Sequence, residues 1–154
     1  MLPVTDVFER SFIMDNQNLL NEMYQNLQMV LNTMPELTQA TTDCDLKGCL
    51  EQQEQQFQDF FSRVKQAMTK DMQQPEEIGE IQKKYAEWMT KMKAIADKST
   101  SHLAEMSIQG YTMGMIQLIQ SSHKNCDASK DNLSMSTDLV KLYEESIDSL
   151  KKYL

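Results

Sequence analysis

The chain has 154 residues, of which 40% are hydrophobic, and this length suits a single soluble domain. It carries 23 acidic and 15 basic residues, for a net charge of −8. Nucleic acids and anionic membranes attract clusters of lysine and arginine, so this balance disfavours both as partners. No apolar run reaches the ~18 residues of a transmembrane helix. Only 4 glycines and 3 prolines interrupt a chain with 13 methionines, which favours a few long helices.

Hydrophobic periodicity predicts a first helix over residues 6–34 and a second over 45–72. Thr5 or Asp6 can cap the first helix, and Pro35 is expected to end it. Asp43 or Asp45 marks the start of the second helix. Because apolar residues recur every three, four or seven positions, each helix is expected to bury one face.

A polar run over residues 51–56, containing four glutamines, interrupts the apolar stripe of the second helix. Two interpretations stay open. The run is either a solvated section of helix or a buried glutamine layer that sets the register of packing.

A third helix is predicted over 75–124, with Pro75 at its first position, and a fourth over 129–154, capped by Asp127 or Ser129. One unbroken helix from Pro75 is the alternative. Apolar residues alternate at intervals of three and four, which is the coiled-coil period and predicts an oligomer seam. The seam residues are Ile81, Tyr85, Trp88, Met92, Ile95, Val140, Tyr143, Ile147 and Leu150. We therefore expect an all-α antiparallel helical bundle or coiled coil, with residues 1–154 as one domain that forms a homo-oligomer.

No spacing typical of a catalytic, cofactor or metal site appears, so we expect a non-enzymatic protein without a cofactor. His102 with Glu105, and His123 with Cys126, lie one helical turn apart. Each pair permits a metal ion, but an ordinary surface pair is the favoured interpretation.

The 3 cysteines are an odd number without the spacing of a disulfide framework. They suggest free thiols in a reducing cytoplasm, with a Cys44–Cys49 disulfide as the alternative. The first residues also lack the pattern of a signal peptide, so we expect a cytoplasmic protein.

The segment 103–119 has apolar residues on more than one face of its predicted helix. Gly110 and Gly114 form a small-xxx-small pair that permits close helix approach. The segment is either buried among several helices or forms an apolar surface for a hydrophobic body or partner.

Phe57 and the pair Phe60-Phe61 lie in a predicted helix, which is followed by Gln73-Gln74-Pro75-Glu76-Glu77-Ile78 and then by Ile81-Gln82-Lys83-Lys84-Tyr85-Ala86. In this order of amphipathic helix, proline-marked break and Gln-x-x-Tyr opening, the segment from Gln55 to about Ile119 resembles the phasin family. Phasins coat bacterial polyhydroxyalkanoate granules. The chain departs from their pattern in having more Met and Gln, less Ala and additional sequence at both ends.

The resemblance implies a non-catalytic protein that oligomerises and contacts granules through apolar helix faces. The partner would be a hydrophobic polymer surface or a protein, and the location would be the cytoplasm, on storage granules. The candidate contact residues are Phe57, Phe60, Phe61, Met113, Met115, Ile116, Leu118 and Ile119. The alternative is a helical protein–protein interaction module, such as a bacterial effector, a chaperone or an accessory subunit of a polymer synthase.

Overall fold

The structure, a computed structural model, describes residues 4–76 and 81–154, with side chains over 6–76 and 85–154. Its helices are α1 (Val4–Ala40), α2 (Cys44–Lys70), α3 (Ile81–Lys93), α4 (Thr100–Lys124) and α5 (Lys130–Leu150), followed by a 3-10 turn at Lys151–Tyr153. The described residues contain no strand, so the predicted all-α bundle is confirmed.

The four long helices form a bundle in which the pairs α1–α2, α1–α4, α4–α5 and α2–α5 run antiparallel, while α1 and α5, which also contact each other, run parallel. α1 packs against α2 and α4, and α5 packs against α4 and α2. Gln53 of α2 contacts Ser146 of α5, whereas Arg63, farther along α2, contacts Asp138, nearer the start of α5. Since α2 and α4 are both antiparallel to α1, they point the same way, and the chain must return along the bundle between them.

α3 lies on this return path, beside the groove between α1 and α4. The Tyr85 hydroxyl donates to the carbonyl of Met29 in α1, and the Trp88 ring lies against Gly110 in α4. Two aromatic side chains of α3 therefore lie at this groove, together with Met89 and Met92, which pack against the core.

Apolar side chains from all five helices fill one core. At its centre the rings of Phe57, Tyr111 and Tyr143 contact one another, with centroids separated by 5.4 Å, 5.0 Å and 5.8 Å. Around them lie fully buried leucines from four helices, namely Leu19, Leu20, Leu27, Leu46, Leu50, Leu118, Leu139 and Leu150. The trio joins α2 to the consecutive helices α4 and α5, which lie much later in the sequence.

The helix caps follow local side-chain chemistry. The Asp43 carboxylate accepts from the backbone N–H of Leu46 at 2.9 Å, and the Ser129 hydroxyl accepts from that of Asn132 at 3.1 Å. Both bonds satisfy donors that a helix start leaves unpaired. Each residue is one of the two caps that the sequence indicates for its helix. The cap predicted for α1 at Thr5 or Asp6 is wrong, because α1 begins at Val4 and includes both residues.

α1 does not end at Pro35 as predicted but continues to Ala40. A proline inside a helix removes one hydrogen bond and costs ~3 kcal/mol. Pro35 is exposed, whereas Leu37 is only 2% exposed and lies in the core. The burial of Leu37, which requires the helix to continue, offsets the cost of the proline.

The predicted helix over 75–124 is two helices, α3 and α4, separated by residues 94–99. Asp97 accepts from the backbone N–H of Ser99 at 2.9 Å, and Ser99 in turn caps α4. Such side-chain bonds compete with the helix backbone, which explains the break. Residues 77–80 of the predicted helix lie outside the described part. The alternative of one helix to the C-terminus is also wrong, because residues 125–129 separate α4 from α5.

The exposures of Phe57 and Phe60 predict different mutational costs. Phe57 is completely buried, while Phe60 is only partly buried against the core. We expect Phe57→Ala to lower the free energy of unfolding by ~3–5 kcal/mol and the control Phe60→Ala by less than about half of that. Urea denaturation measures both variants. Equal losses would contradict this placement of the two rings.

Candidate functional site

The residues predicted to form an oligomer seam pack inside this chain. Four of them are buried, namely Trp88, Met92, Tyr143 and Leu150. Four more are partly buried against the same core, namely Tyr85, Ile95, Val140 and Ile147. The side chain of Ile81 lies outside the described residues. The three-four spacing therefore reflects helix packing within one chain.

The predicted contact residues divide into three groups. Phe57 and Leu118 are completely buried and belong to the core, so they form no contact surface in this fold. Phe60, Phe61 and Met115 are partly buried against the core. The exposed members are Met113 at 38%, Ile116 at 48% and Ile119 at 38%, all on α4.

A cavity of about 390 Å³ lies between α1, α3 and α4. Its walls are mainly apolar and include Met29, Val30 and Met34 from α1, Trp88 from α3, and Tyr111 and Ile116 from α4. This volume is within the ~300–1,000 Å³ range of pockets for small organic ligands. The segment singled out in the sequence therefore forms one side of a cavity.

Gly110 and Gly114 shape this part of α4. A Cβ atom added to Gly110 would lie 2.7 Å from the Trp88 ring, and one added to Gly114 would lie 2.9 Å from the Tyr143 hydroxyl. The two glycines thus permit a close approach to α4, as their spacing predicts. The groups that approach are the aromatic side chains of Trp88 and Tyr143 and not the backbone of another helix.

A chain of hydrogen bonds sets the orientation of two amides beside the cavity. Asn26 Nδ2 donates to the Gly114 carbonyl at 3.0 Å and to Gln117 Oε1 at 2.9 Å, while its Oδ1 accepts from the Tyr143 hydroxyl. Because a carbonyl can only accept, the Asn26 amide cannot be reversed. Gln117 must therefore turn its Oε1 toward Asn26, and its Nε2 finds no partner among the described residues.

Trp88 supplies a second donor without a partner. It is 8% exposed, and its Nε1 has no hydrogen-bond partner among the described residues. Its Cε2 atom, which is bonded to Nε1, lies 3.3 Å from the position of a Cβ on Gly110. Its Cζ2 and Cη2 atoms lie nearer still, at 2.7 Å and 3.0 Å, so the benzo edge of the indole faces α4. Neither unpartnered N–H group has appreciable accessible surface.

The sequence analysis missed Asn26 and Thr33. Both are buried, and both lie on one face of α1 where residues recur alternately every three and four positions. The residues of this face are Met23, Asn26, Val30, Thr33 and Leu37. Thr33 donates to the Met29 carbonyl and contacts the Tyr85 hydroxyl. Polar residues inside an otherwise apolar row are the signal that could have found them.

Gln53 decides between the two interpretations of the polar run. It is 3% exposed, its Oε1 accepts from the Tyr111 hydroxyl at 2.8 Å, and its Nε2 donates to the Ser146 carbonyl at 3.2 Å. The other five residues of the run are exposed or partly exposed. The run is therefore solvated except at this one buried glutamine.

Other candidate chemistry is sparse in the part of the chain that the structure describes. No group of three or more His, Cys, Asp or Glu side chains there could hold a metal ion. His102 Nδ1 lies 3.4 Å from a Glu105 carboxylate oxygen in a surface pair.

All three cysteines are free thiols. Burial raises the pKa of the Cys49 thiol, and the nearby charge of Lys152 offsets only part of that rise. A raised pKa makes this thiol a poor nucleophile. None of the described helices is long and apolar enough to cross a membrane.

Comparisons with known proteins assign no family. No protein-family model matches the sequence, and no curated protein matches it. Among solved structures, the chain is similar to YcfI, described as "a putative structural protein from Rhodopseudomonas palustris", with 18% identity and a TM-score of 0.55. The match covers 86% of this chain and 88% of that one. At this identity the likeness shows a shared fold alone, and the resemblance to phasins stays a prediction.

The bond between Asn26 and Tyr143 predicts non-additive mutations. Asn26→Leu leaves the buried Tyr143 hydroxyl without its acceptor, so we expect a loss of ~1–3 kcal/mol in the free energy of unfolding. Adding Tyr143→Phe removes the stranded hydroxyl. The double variant should therefore lose less than the sum of the two single variants in urea denaturation. Strict additivity would show that the bond does not couple α1 to α5.

The buried tyrosines predict a loss of stability in alkali. Burial raises the pKa of both Tyr111 and Tyr143 well above the ordinary value. Tyrosines of the unfolded chain ionise near pH ~10 while these two stay neutral in the fold. Their stabilising contribution is thus complete below about pH 10 and declines as pH rises further. Urea denaturation between about pH 8 and pH 11 should show this decline, with a shallower slope in Tyr143→Phe. An unchanged slope would contradict it.

Proposed function

We propose that the protein is a non-catalytic binding protein that attaches to the hydrophobic surface of a polyhydroxyalkanoate granule. The observation that carries the proposal is apolar surface left outside the core, in two places on the molecule. The choice of this polymer rests on the resemblance of the segment 55–119 to phasins.

The first place is a row on α4 formed by Met113, Ile116 and Ile119, which we call the α4 row. These residues are three positions apart, so they lie along one side of the helix. All three are exposed although they are large and apolar. Single exposed apolar residues are common, but a row on one helix side is typical of a contact surface.

The second place is the start of α1. The Ser11 hydroxyl donates to Asp127 at 2.6 Å, which puts Ser11 beside the α4–α5 turn at one end of the bundle. The residues before Ser11 extend past this end, where Val7 and Phe8 are 57% and 73% exposed. An amphipathic helix end of this kind can lie on an apolar surface.

A protein partner is the second candidate for the apolar surface. The exposed α4 row supports this candidate as well, because a row of large apolar side chains on one helix side is also typical of a protein–protein interface. Met113 suits either surface, since its flexible thioether adapts to irregular shapes.

A fluorescent fusion expressed in polymer-accumulating cells tests the proposal. We expect a ring of fluorescence around each granule. Replacing the α4 row by Met113→Gln, Ile116→Gln and Ile119→Gln should lower the granule-bound fraction several-fold, because it removes apolar contact area.

The matched control carries three glutamines at exposed polar positions of α5, namely Lys141→Gln, Glu144→Gln and Glu145→Gln. This variant should still ring the granules. A diffuse signal from the unaltered fusion would overturn the proposal. Purification with one stoichiometric protein, together with no affinity for isolated polymer, would favour the second candidate instead.

A further inference from the structure

We propose that α3 is a detachable lid, which leaves the groove between α1 and α4 as a unit while the four long helices stay folded. Such an opening is a property of the isolated chain, so it is independent of granule attachment. Three features support it, namely the few side chains that hold α3, the cavity beneath this helix and the flanking segments that keep it attached.

Few side chains hold α3 in place. Among the side chains of this helix that the structure describes, only Trp88 and Met92 are buried, whereas α2, α4 and α5 each bury six or more. The Tyr85 hydroxyl donates one hydrogen bond to the carbonyl of Met29. Lys93 forms an ion pair with α1, but both partners are exposed, and an exposed pair adds little stability.

The packing beneath α3 is incomplete. The cavity of about 390 Å³ lies between this helix and the bundle, with Tyr85 and Trp88 among its walls. Side chains that line a cavity contact fewer atoms than side chains in a filled core. Trp88 Nε1 is also buried without a partner among the described residues, and water would supply one once α3 leaves. The burial of the indole ring is thus opposed by its own N–H group.

The flanking segments keep α3 attached when it leaves. Before the helix, the backbone of Glu76 is bound to α1, since Asn21 Oδ1 accepts from its N–H and Gln25 Nε2 donates to its carbonyl, both at 2.9 Å. After the helix, Ser99 caps α4, and most of residues 94–98 are exposed. Both attachments are independent of the groove, so α3 stays near it and the opening is reversible.

Opening uncovers an apolar groove. Its remaining walls include Met29 and Met34 of α1 and Tyr111 of α4. Met113 and Ile116 line the same cavity and are exposed, so the cavity opens to solvent beside them and the groove is continuous with the α4 row. The closed lid therefore limits the apolar surface that this face of the bundle presents to water.

Hydrogen exchange followed by NMR measures the opening. A free helix of 13 residues is marginally stable in water, so the amides of α3 lose protection once it leaves. We expect the amides of residues 86–93 to share one protection factor, about a hundredfold lower than that of amides in the middle of α4 and α5. Equal protection of the three helices would overturn the proposal, and so would a gradient from one end of α3, which indicates fraying.

Gly110→Ala and Gly48→Ala form a matched pair that tests the contact between the lid and α4. Both glycines lie inside helices, so both variants gain the same helix propensity. A Cβ at Gly110 would lie 2.7 Å from the rigid Trp88 ring, whereas one at Gly48 has nothing within 4 Å. We expect Gly110→Ala to lower the protection of α3 about tenfold, because the ring must move away, and Gly48→Ala to leave it unchanged.

Two further measurements separate opening from a general loss of stability. Trp88 is the single tryptophan of the chain, so its emission in Gly110→Ala should shift to longer wavelength as the ring enters water. The protection of α5 should stay unchanged. Equal losses in α3 and α5 would show that α3 belongs to one cooperative unit and would overturn the proposal. If Gly110→Ala does not fold, Tyr85→Phe replaces it, since loss of the bond to Met29 should lower the protection of α3 alone about threefold.

Discussion

The buried hydroxyl of Tyr143 is the interaction on which the rest of the structure depends. It lies in the core, where an unpaired hydroxyl would be costly, so it must find an acceptor, and Asn26 provides one. This bond requires α1 and α5 to lie at one fixed register across the bundle. It also requires a residue without a side chain at position 114, because a Cβ there would meet the hydroxyl. A glycine, an amide and a phenol on three helices are therefore mutually dependent.

The same dependence extends to the cavity. Once Tyr143 donates to Asn26, the Asn26 amide must donate to Gln117, and the Gln117 amide must present its N–H groups elsewhere. Gly110 has a parallel effect, since its lack of a side chain allows Trp88 to approach α4. The packing that stabilises the core therefore also determines how the polar side chains beside the cavity are oriented.

Local chemistry was predictable, and spatial arrangement was not. Asp43 and Ser129 act as caps through bonds to residues three positions away, and these bonds depend on short segments of sequence. The sequence also indicated that α4 carries more apolar surface than one interface needs. By contrast, it could not separate Phe57 from Phe60, because both have helical spacing and only the positions of α4 and α5 make one of them central. The role of Asn26 was hidden for the same reason, since its partners lie about 90 and 117 positions away.

The α4 helix carries both the exposed apolar row and one wall of the cavity. Met113 and Ile116 belong to the exposed α4 row and also line the cavity. A surface that covered the row would also cover the side from which the cavity opens. The excess of apolar residues on α4 thus has two structural consequences, because these residues line the cavity and also leave an exposed row on the same helix.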